Sequence, residues 1–328
     1  MKKLLITGGA GYIGSHALLK GIQEGYQVKV VDSLIAGHES VLQIIEDLTK
    51  QKVNFSKIDI RDKENFKKIV DEFEPDYIMN FAALKSVGEA EKFPEEYYDN
   101  NVNGLANVLS AIKGTSTKLV FSSTAAVYDP NQELPLTEES RLQPIGVYGK
   151  TKLKCEKLIQ ASDIKSVIFR YFNVVGNHPD GVIGEYPEKT TNLLPLVLQA
   201  LAGKRDNMTL FGCNFNTRDG SQERDYIDVN DLVDGHFLAL QKDFTDKTTI
   251  MNLGTGNPAS CLELFKIAEE VTGSKLDYKI VEPRAGDPEK SFASADKALK
   301  LLDWKAKRSL KESIEAQWKW MTNYYNNQ

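Results

Sequence analysis

The chain has 328 residues, 41% apolar and 27% charged, the composition of a folded globular protein with room for two structural units. Its 41 basic and 46 acidic side chains give a net charge of −5, which argues against a binder of nucleic acid or of anionic membrane. No apolar run approaches the ~18 residues of a membrane span, and three distant cysteines with four scattered histidines form neither a disulfide framework nor a metal-binding pattern. A reducing, cytoplasmic setting is therefore the expectation.

The N-terminus, MKKLLITGGAG, starts like a secretory leader, but its apolar run breaks at two glycines and reads as a strand. Leu4 to Thr7 is that strand. Gly8, Gly11 and Gly14 follow at i, i+3, i+6, and Ile13, Ala17, Leu18 and Ile22 then recur at helical spacing up to Gly25. Val28 to Val31 form the next strand, closing on Asp32. This order is the logic of dinucleotide binding. One glycine allows a tight turn, one admits a pyrophosphate, one lets helix pack on strand, and the helix N-terminus faces the phosphates. A carboxylate at Asp32 suits the adenosine ribose hydroxyls and repels a 2′-phosphate, so NAD is favoured over NADP. An empty glycine turn is the bland reading of such spacing, but strand, helix, second strand and terminal acid all stand in register.

A third strand is expected to end at Asp59, with Ile60 beside it. A fourth runs from Tyr77 to Phe81 into Ala82-Ala83-Leu84-Lys85, and a fifth from Leu119 to Phe121 into Ser122-Ser123-Thr124. Ligands of open α/β sheets gather at the carboxyl ends of strands, which places Asp59, Lys85 and Thr124 along one crevice. The fold class expected is α/β: a doubly wound, Rossmann-like parallel sheet with a smaller C-terminal α/β substrate domain.

In VYGKTK, residues 147–152, Tyr148 is the one tyrosine of 13 with a lysine four residues on. Alone, that spacing is weak. A helix from about Tyr148 would put Tyr148, Lys152, Cys155 and Ile159 on one stripe packed toward the sheet, leaving Lys150, Lys154 and Lys157 in solvent. A phenol buried beside an ammonium and a nicotinamide cation has its pKa lowered by both charges. Thr124 can hydrogen-bond the same substrate hydroxyl, completing a Thr124-Tyr148-Lys152 unit for moving a proton. A strand from Val167 to Tyr171 follows.

The GxxGxxG turn resembles the extended short-chain dehydrogenase/reductases, and the likeness narrows along the chain. TGGAGYIGSH, LKSVGEA, YYDNNVNG, FSSTAAVY, YGKTKL, RYFNVVGNHPDGVIGE, NLLPLV, DGSQERDYIDV, NLGTG and RAGD are similar to the UDP-glucose 4-epimerase (UDP-galactose 4-epimerase) family nearly end to end. YYDNNVNG and the RYFN stretch are the most specific of these. The resemblance implies a resident NAD that serves C4 inversion of a UDP-hexose through a transient 4-keto sugar. It implies cofactor contacts from Gly8, Gly11, Tyr12, Ile13, Gly14, Asp32, Asp59, Ile60, Phe81, Ala82, Ala83, Lys85, Asn100, Tyr148, Lys152 and Phe172. It implies that the UDP-sugar meets Lys85, Thr124, Tyr148, Asn173, Asn192, Leu193, Phe211 (at uracil), Arg224, Arg284, Asp287 and Ser291, the two arginines clamping the diphosphate. Guanidinium forks suit phosphate oxygens on chemical grounds as well. No metal is expected.

Five departures bear on sugar choice rather than on reaction type. Val174 and Asn177 replace a proline and an alanine of the RYFN motif, Ala83 replaces a glycine, Asp228 stands where a histidine is usual, and one arginine rather than two precedes Gly286. By resemblance, Ser291 lies where side-chain size gates the substituent at C2 of the sugar, so a small residue leaves room for an N-acetyl group. A 4,6-dehydratase needs an acid beside the threonine, where Ala125 and Ala126 stand. Sugar-acid epimerases and decarboxylases differ in the RYFN segment, and a non-catalytic NAD-sensing regulator can dispense with Tyr148. The expected organisation is an NAD domain over 1–172 plus about 225–250, and a UDP-sugar domain over about 173–224 and 251–328. Helices near 97–112 and 148–161 resemble those that pair in homodimers of the family.

Overall fold

Strands and helices alternate through the first eighty residues of the computed structural model, which describes residues 1–283 and 287–326. They are β1 (Lys3–Thr7), α1 (Tyr12–Gln23), β2 (Gln27–Asp32), α2 (Ser40–Thr49), β3 (Asn54–Lys57), α3 (Lys63–Phe73) and β4 (Tyr77–Asn80). After β4 come α4 (Val87–Lys92), α5 (Pro94–Tyr98), a π-helical turn over Asp99–Asn103, α6 (Gly104–Ala111) and β5 (Lys118–Ser122). The middle holds α7 (Val147–Ala161), β6 (Ser166–Tyr171), β7 (Asn173–Val175), α8 (Leu193–Leu201), β8 (Met208–Phe211), β9 (Glu223–Arg224) and β10 (Tyr226–Asp228). The rest comprises α9 (Val229–Leu240), β11 (Thr248–Leu253), β12 (Ala259–Ser260), α10 (Cys261–Thr272), β13 (Tyr278–Val281), β14 (Lys290–Ser291), α11 (Asp296–Leu302) and α12 (Leu310–Asn326).

Contacts divide the chain into two units. The first is Met1–Tyr128, Leu142–Arg170 and Val233–Met251; the second is Asp129–Arg141, Tyr171–Leu232 and Asn252–Gln328. The first unit is built on a seven-stranded sheet of order β11-β6-β5-β4-β1-β2-β3, with the pairs from β3 to β6 parallel. Strand order reverses beside β1, so the crevice outside the ends of β1 and β4 is the topological switch point where such sheets bind ligands. Leu4, Leu5 and Ile6 are fully buried on successive positions, as helices on both faces require. α3 shows why the layers close: Asp62 caps its N-terminus by accepting from Asn65 N, and Phe66, Ile69, Val70 and Phe73 at i, i+3, i+4, i+7 are buried.

The second unit has small sheets, β10-β7, β12-β9-β14 and β13-β8. Its core is Val197, Leu198, Leu210, Leu264, Phe265 and Ile314. α10 starts at a capping box between Ser260 and Glu263 and stops at Gly273.

Several expectations shift. β3 stops at Lys57, the partner of Asp32, and Asp59 and Ile60 lie in the turn beyond, which Asp62 N closes on Asp59 O. The helix expected near 97–112 is broken by the π turn carrying Asn100 and Asn101. Segment 129–141 belongs to the second unit because Leu136 N donates to Phe292 O, Ser294 N donates to Leu136 O, and Asn252 is held by Glu138 and Leu136. Residues 225–232 also belong there, since β10 pairs with β7. On α1 the buried face centres on Ala17, Leu18 and Gly21, while Ile13 and Ile22 are half-buried. Among the described residues no helix is long and apolar enough to cross a membrane.

Candidate active site

The glycine turn comes first. Gly8 has φ +75°, and a Cβ there would meet Ala82 N at 2.6 Å; a Cβ on Gly14 would lie 2.0 Å from Gly8 O. Both positions therefore require glycine, and backbone comes close to backbone beneath the crevice. Gly11 is the N-cap of α1 and offers no side-chain oxygen. No acid stands in the first turn, so the positive helix end is left for an anion. Tyr12 and Ile13 open that helix, with the Tyr12 ring 5.9 Å from Lys85 Nζ.

Gly8, Gly11, Asp32, Asp59, Ile60 and Asn100 line one pocket, with Phe81, Ala82 and Ala83 completing its wall. Asp32 is 8% exposed; it accepts from Ala10 N at 3.0 Å and Leu34 N at 2.8 Å. Burial raises its pKa against the lowering effect of those two bonds. Its carboxylate keeps acceptor positions for ribose hydroxyls. Asp59 is gripped by Arg61, whose Nε and Nη2 reach its oxygens at 2.7–3.1 Å, and this contact holds its carboxyl below the usual range. These residues fit an adenine dinucleotide: a glycine cradle that a Cβ would fill, a helix end for the pyrophosphate and a buried acid for the ribose. Lys85 is exposed, five residues beyond the end of β4, rather than at the strand end itself.

Tyr148 and Lys152 lie one turn apart at the start of α7. Tyr148 is half-buried and Lys152 is 3% exposed, its Nζ donating to Ser122 O at 2.9 Å at the end of β5 and lying 4.8 Å from the Phe121 ring centroid. Burial brings the Lys152 pKa down to about 8, opposed by the acidic character of Cys155 and Glu156. Thr124 follows two residues after β5, and its Oγ accepts from Ala126 N at 3.2 Å, so the hydroxyl proton is left to donate elsewhere. Lys150, Lys154 and Lys157 are exposed, as the stripe reading requires.

Behind this group lies a polar layer that hydrophobic periodicity gives no hint of. Asn101 on the π turn accepts from Leu84 N at 2.8 Å and donates to Leu84 O and Thr151 Oγ, tying the β4 exit to α7. Glu156 is fully buried and ion-paired with Arg170. Cys155 is buried with its pKa pushed up to about 12, which makes it an inert thiol.

The second unit carries most of the remaining candidates. Asn173 opens β7, exposed, its N–H on Asp225 O. The Asn192 amide donates to both oxygens of Glu185, at 2.8 and 3.0 Å, and Leu193 begins α8 half-buried. Phe211 ends β8, half-buried, and Phe172 is half-buried after β6. Arg224 donates one nitrogen to Glu223 O and Glu289 O. Ser291 is the register partner of Arg224 across β14 and β9. Asp287 is exposed, and Arg284 lies outside the described residues. Beneath them, fully buried Asp225 accepts from Thr255 N, Thr255 Oγ and Gly256 N, fastening the NLGTG loop; nothing in the periodicity marks it. Asp228, where the resemblance expects histidine, is buried under Ser313 Oγ and both nitrogens of Asn230, a structural role. Among the described residues no cluster of histidine, cysteine and acidic side chains is suited to a metal.

A doubly wound sheet, a glycine turn at its switch point, an acid ending β2 and a Tyr-Lys pair beside β5 define an extended short-chain dehydrogenase/reductase. The chain belongs to the NAD dependent epimerase/dehydratase family, whose model matches residues 4–254. It is 40% identical to UDP-glucose 4-epimerase 2 of Arabidopsis thaliana over 98% of this chain and 95% of that one. Its structure is similar to that of UDP-glucose-4-epimerase from Stenotrophomonas maltophila with bound NAD and formylated UDP-arabinopyranose (TM-score 0.96, 38% identity, all of both chains covered). It is also similar to the UDP-Glc/GlcNAc 4-epimerase of Campylobacter jejuni (TM-score 0.86, 32% identity, 98% and 100% covered).

Proposed function

We propose that the protein is an isomerase that inverts C4 of a UDP-hexose, interconverting UDP-glucose and UDP-galactose with a resident NAD. The observation that carries this is Lys152, buried on Ser122 O one helical turn from Tyr148, in a family of UDP-sugar epimerases. When bound there, NAD would supply a reversible two-electron acceptor, so the net reaction would need no outside oxidant. The chain manages the proton. Tyr148 takes the proton from O4 and gives it back, while the Lys152 ammonium stabilises the phenolate. Thr124 donates to the same oxygen. Asp32, Asp59, Asn100 and the glycine turn hold the adenosine and pyrophosphate. Phe211 packs on uracil, and Arg224 with Arg284 binds the diphosphate. Ala125 and Ala126 give the Thr124 turn no acid for elimination chemistry.

The test uses protein purified without added cofactor. UDP-galactose should convert to UDP-glucose, read from the anomeric proton by NMR, and the supernatant of denatured protein should contain NAD. Protein that is empty and needs added NAD for each turnover would refute the reading.

Ser291 beside Arg224 supports a finer assignment. A small residue there leaves room for a C2 acetamido group, so UDP-N-acetylgalactosamine is also a substrate. A homodimer is supported by Val87, Phe93, Tyr98 and Ile145, each 41–57% exposed on or beside α4, α5 and α7. Cytoplasmic residence is supported by three free cysteines.

A further inference from the structure

We propose that the buried Glu156–Arg170 pair is a positioning device for the proton-handling group, holding the Thr124 turn and the Tyr148-Lys152 face of α7 in one register. This rests on the reaction assigned above. Tyr148, Lys152 and Glu156 follow one another at i, i+4, i+8 on α7, about 6 Å apart along the axis at each step. Two successive residues of the β5 exit meet two of them. Ser122 O accepts from Lys152 Nζ, and Ser123 Oγ donates to Glu156 Oε1. Arg170, at the end of β6, donates Nε and Nη2 to the two oxygens of Glu156 at 3.0 and 2.6 Å. Its Nη1 donates to Tyr128 Oη at 3.1 Å, with the guanidinium 5.0 Å from the Tyr128 ring centroid. Tyr128 closes the short turn Ala125–Val127 that Thr124 opens. The pair therefore grips the segment carrying Thr124 at both ends, through Ser123 and Tyr128, while its carboxylate is part of α7.

Glu156, Arg170, Ser123 and Tyr128 are all at most 3% exposed. An ion pair this deep is a poor way to gain stability, because the desolvation of both charges offsets their attraction. What it adds is direction: four fixed donor–acceptor lines between α7, β6 and the β5 exit. Neutralisation matters as well. Glu156 cancels the Arg170 charge, so that Lys152 acts on the phenol without a second unbalanced cation nearby. Glu156 is placed to touch neither substrate nor cofactor and acts through Lys152 and Thr124.

The experiment compares wild type, Glu156→Gln and Ser123→Ala as NAD-loaded protein. Glu156→Gln keeps an acceptor for Ser123 but leaves Arg170 unbalanced. Its kcat on UDP-galactose should fall about 10–100-fold, with KM within about threefold and NAD content unchanged. A lone buried cation favours the phenolate, so the acid limb of the kcat profile should move to lower pH by about half a pH unit or more. Ser123→Ala removes one line and no charge. Its kcat should fall about 3–10-fold with the pH profile in place. If Glu156→Gln does not fold, Ser123→Ala decides. Titration of the Tyr148 phenol, read as the ultraviolet difference between each protein and its Tyr148→Phe counterpart, does not depend on turnover. A wild type inert on UDP-galactose would defeat the assigned reaction, and the phenol titration would still judge the pair. A kcat per bound NAD within about twofold of wild type, or a phenol that titrates unchanged in Glu156→Gln, would overturn the proposal, whatever happens to Tm.

Discussion

The two units prepare their candidate residues differently. In the first, the groups that would do chemistry are held by backbone at strand ends: Lys152 by Ser122 O, Asp32 by the N–H groups of Ala10 and Leu34. In the second, several candidates are half-exposed and partly occupied with their own neighbourhood, as Asn192 is with Glu185 and Arg224 with Glu223 and Glu289. The first arrangement suits a reaction that is the same for every substrate. The second leaves partly exposed side chains that substitution can change without disturbing a buried core, as sugar selectivity would need.

The contrast predicts that chemistry fails hardest in the first unit. Tyr148→Phe removes the proposed base and keeps the ring, and kcat should fall ~10²–10⁴-fold with NAD retained. An unchanged kcat would remove Tyr148 from its role.

The cost of burying the Lys152 charge is also measurable, through stability in cofactor-free protein. Burial holds its folded pKa at about 8, below the 10.5 of an ordinary lysine. Between those values the unfolded chain keeps a proton that the folded one has released, so stability rises with pH over that window. Relative to Lys152→Met, wild type should gain about 3 kcal/mol from pH about 8 to about 10.5 in urea unfolding. A difference that stays flat would mean that Lys152 is better solvated than its burial implies.

In the second unit the expected effects are on binding. Arg224→Ala should weaken the diphosphate contact by ~1.5–3 kcal/mol, seen as a raised KM for UDP-galactose with little change in kcat. An unaltered KM would move the anion site elsewhere.

The smallest and most selective effect belongs to Ser291→Tyr. Filling the space for the acetamido group should cost ~1–3 kcal/mol with UDP-N-acetylgalactosamine and leave UDP-galactose turnover intact. Wild type inert on the N-acetyl sugar, or a variant that still epimerises it well, would take Ser291 off the sugar pocket.

Local patterns made the cofactor half of the first unit readable in advance. The glycine spacing, the apolar runs of β1 and β2, Asp32 and the 148–152–155–159 stripe are short-range features, and short-range backbone and burial rules produce them. The same rules misplaced the end of β3 by two residues and passed over the π turn, because strand ends and helix register depend on partners far along the chain. Tertiary structure alone decided that Asp129–Arg141 serves the second unit, that Asp225 anchors the NLGTG loop, and that Ser291 lies beside Arg224. It also decided that Glu156, an unremarkable acid among helical lysines in the sequence, meets Arg170 fourteen residues later in a buried interior. A charged residue reads as surface until a partner is seen, and the parallel pairing of β5 with β6 is what brings that partner in.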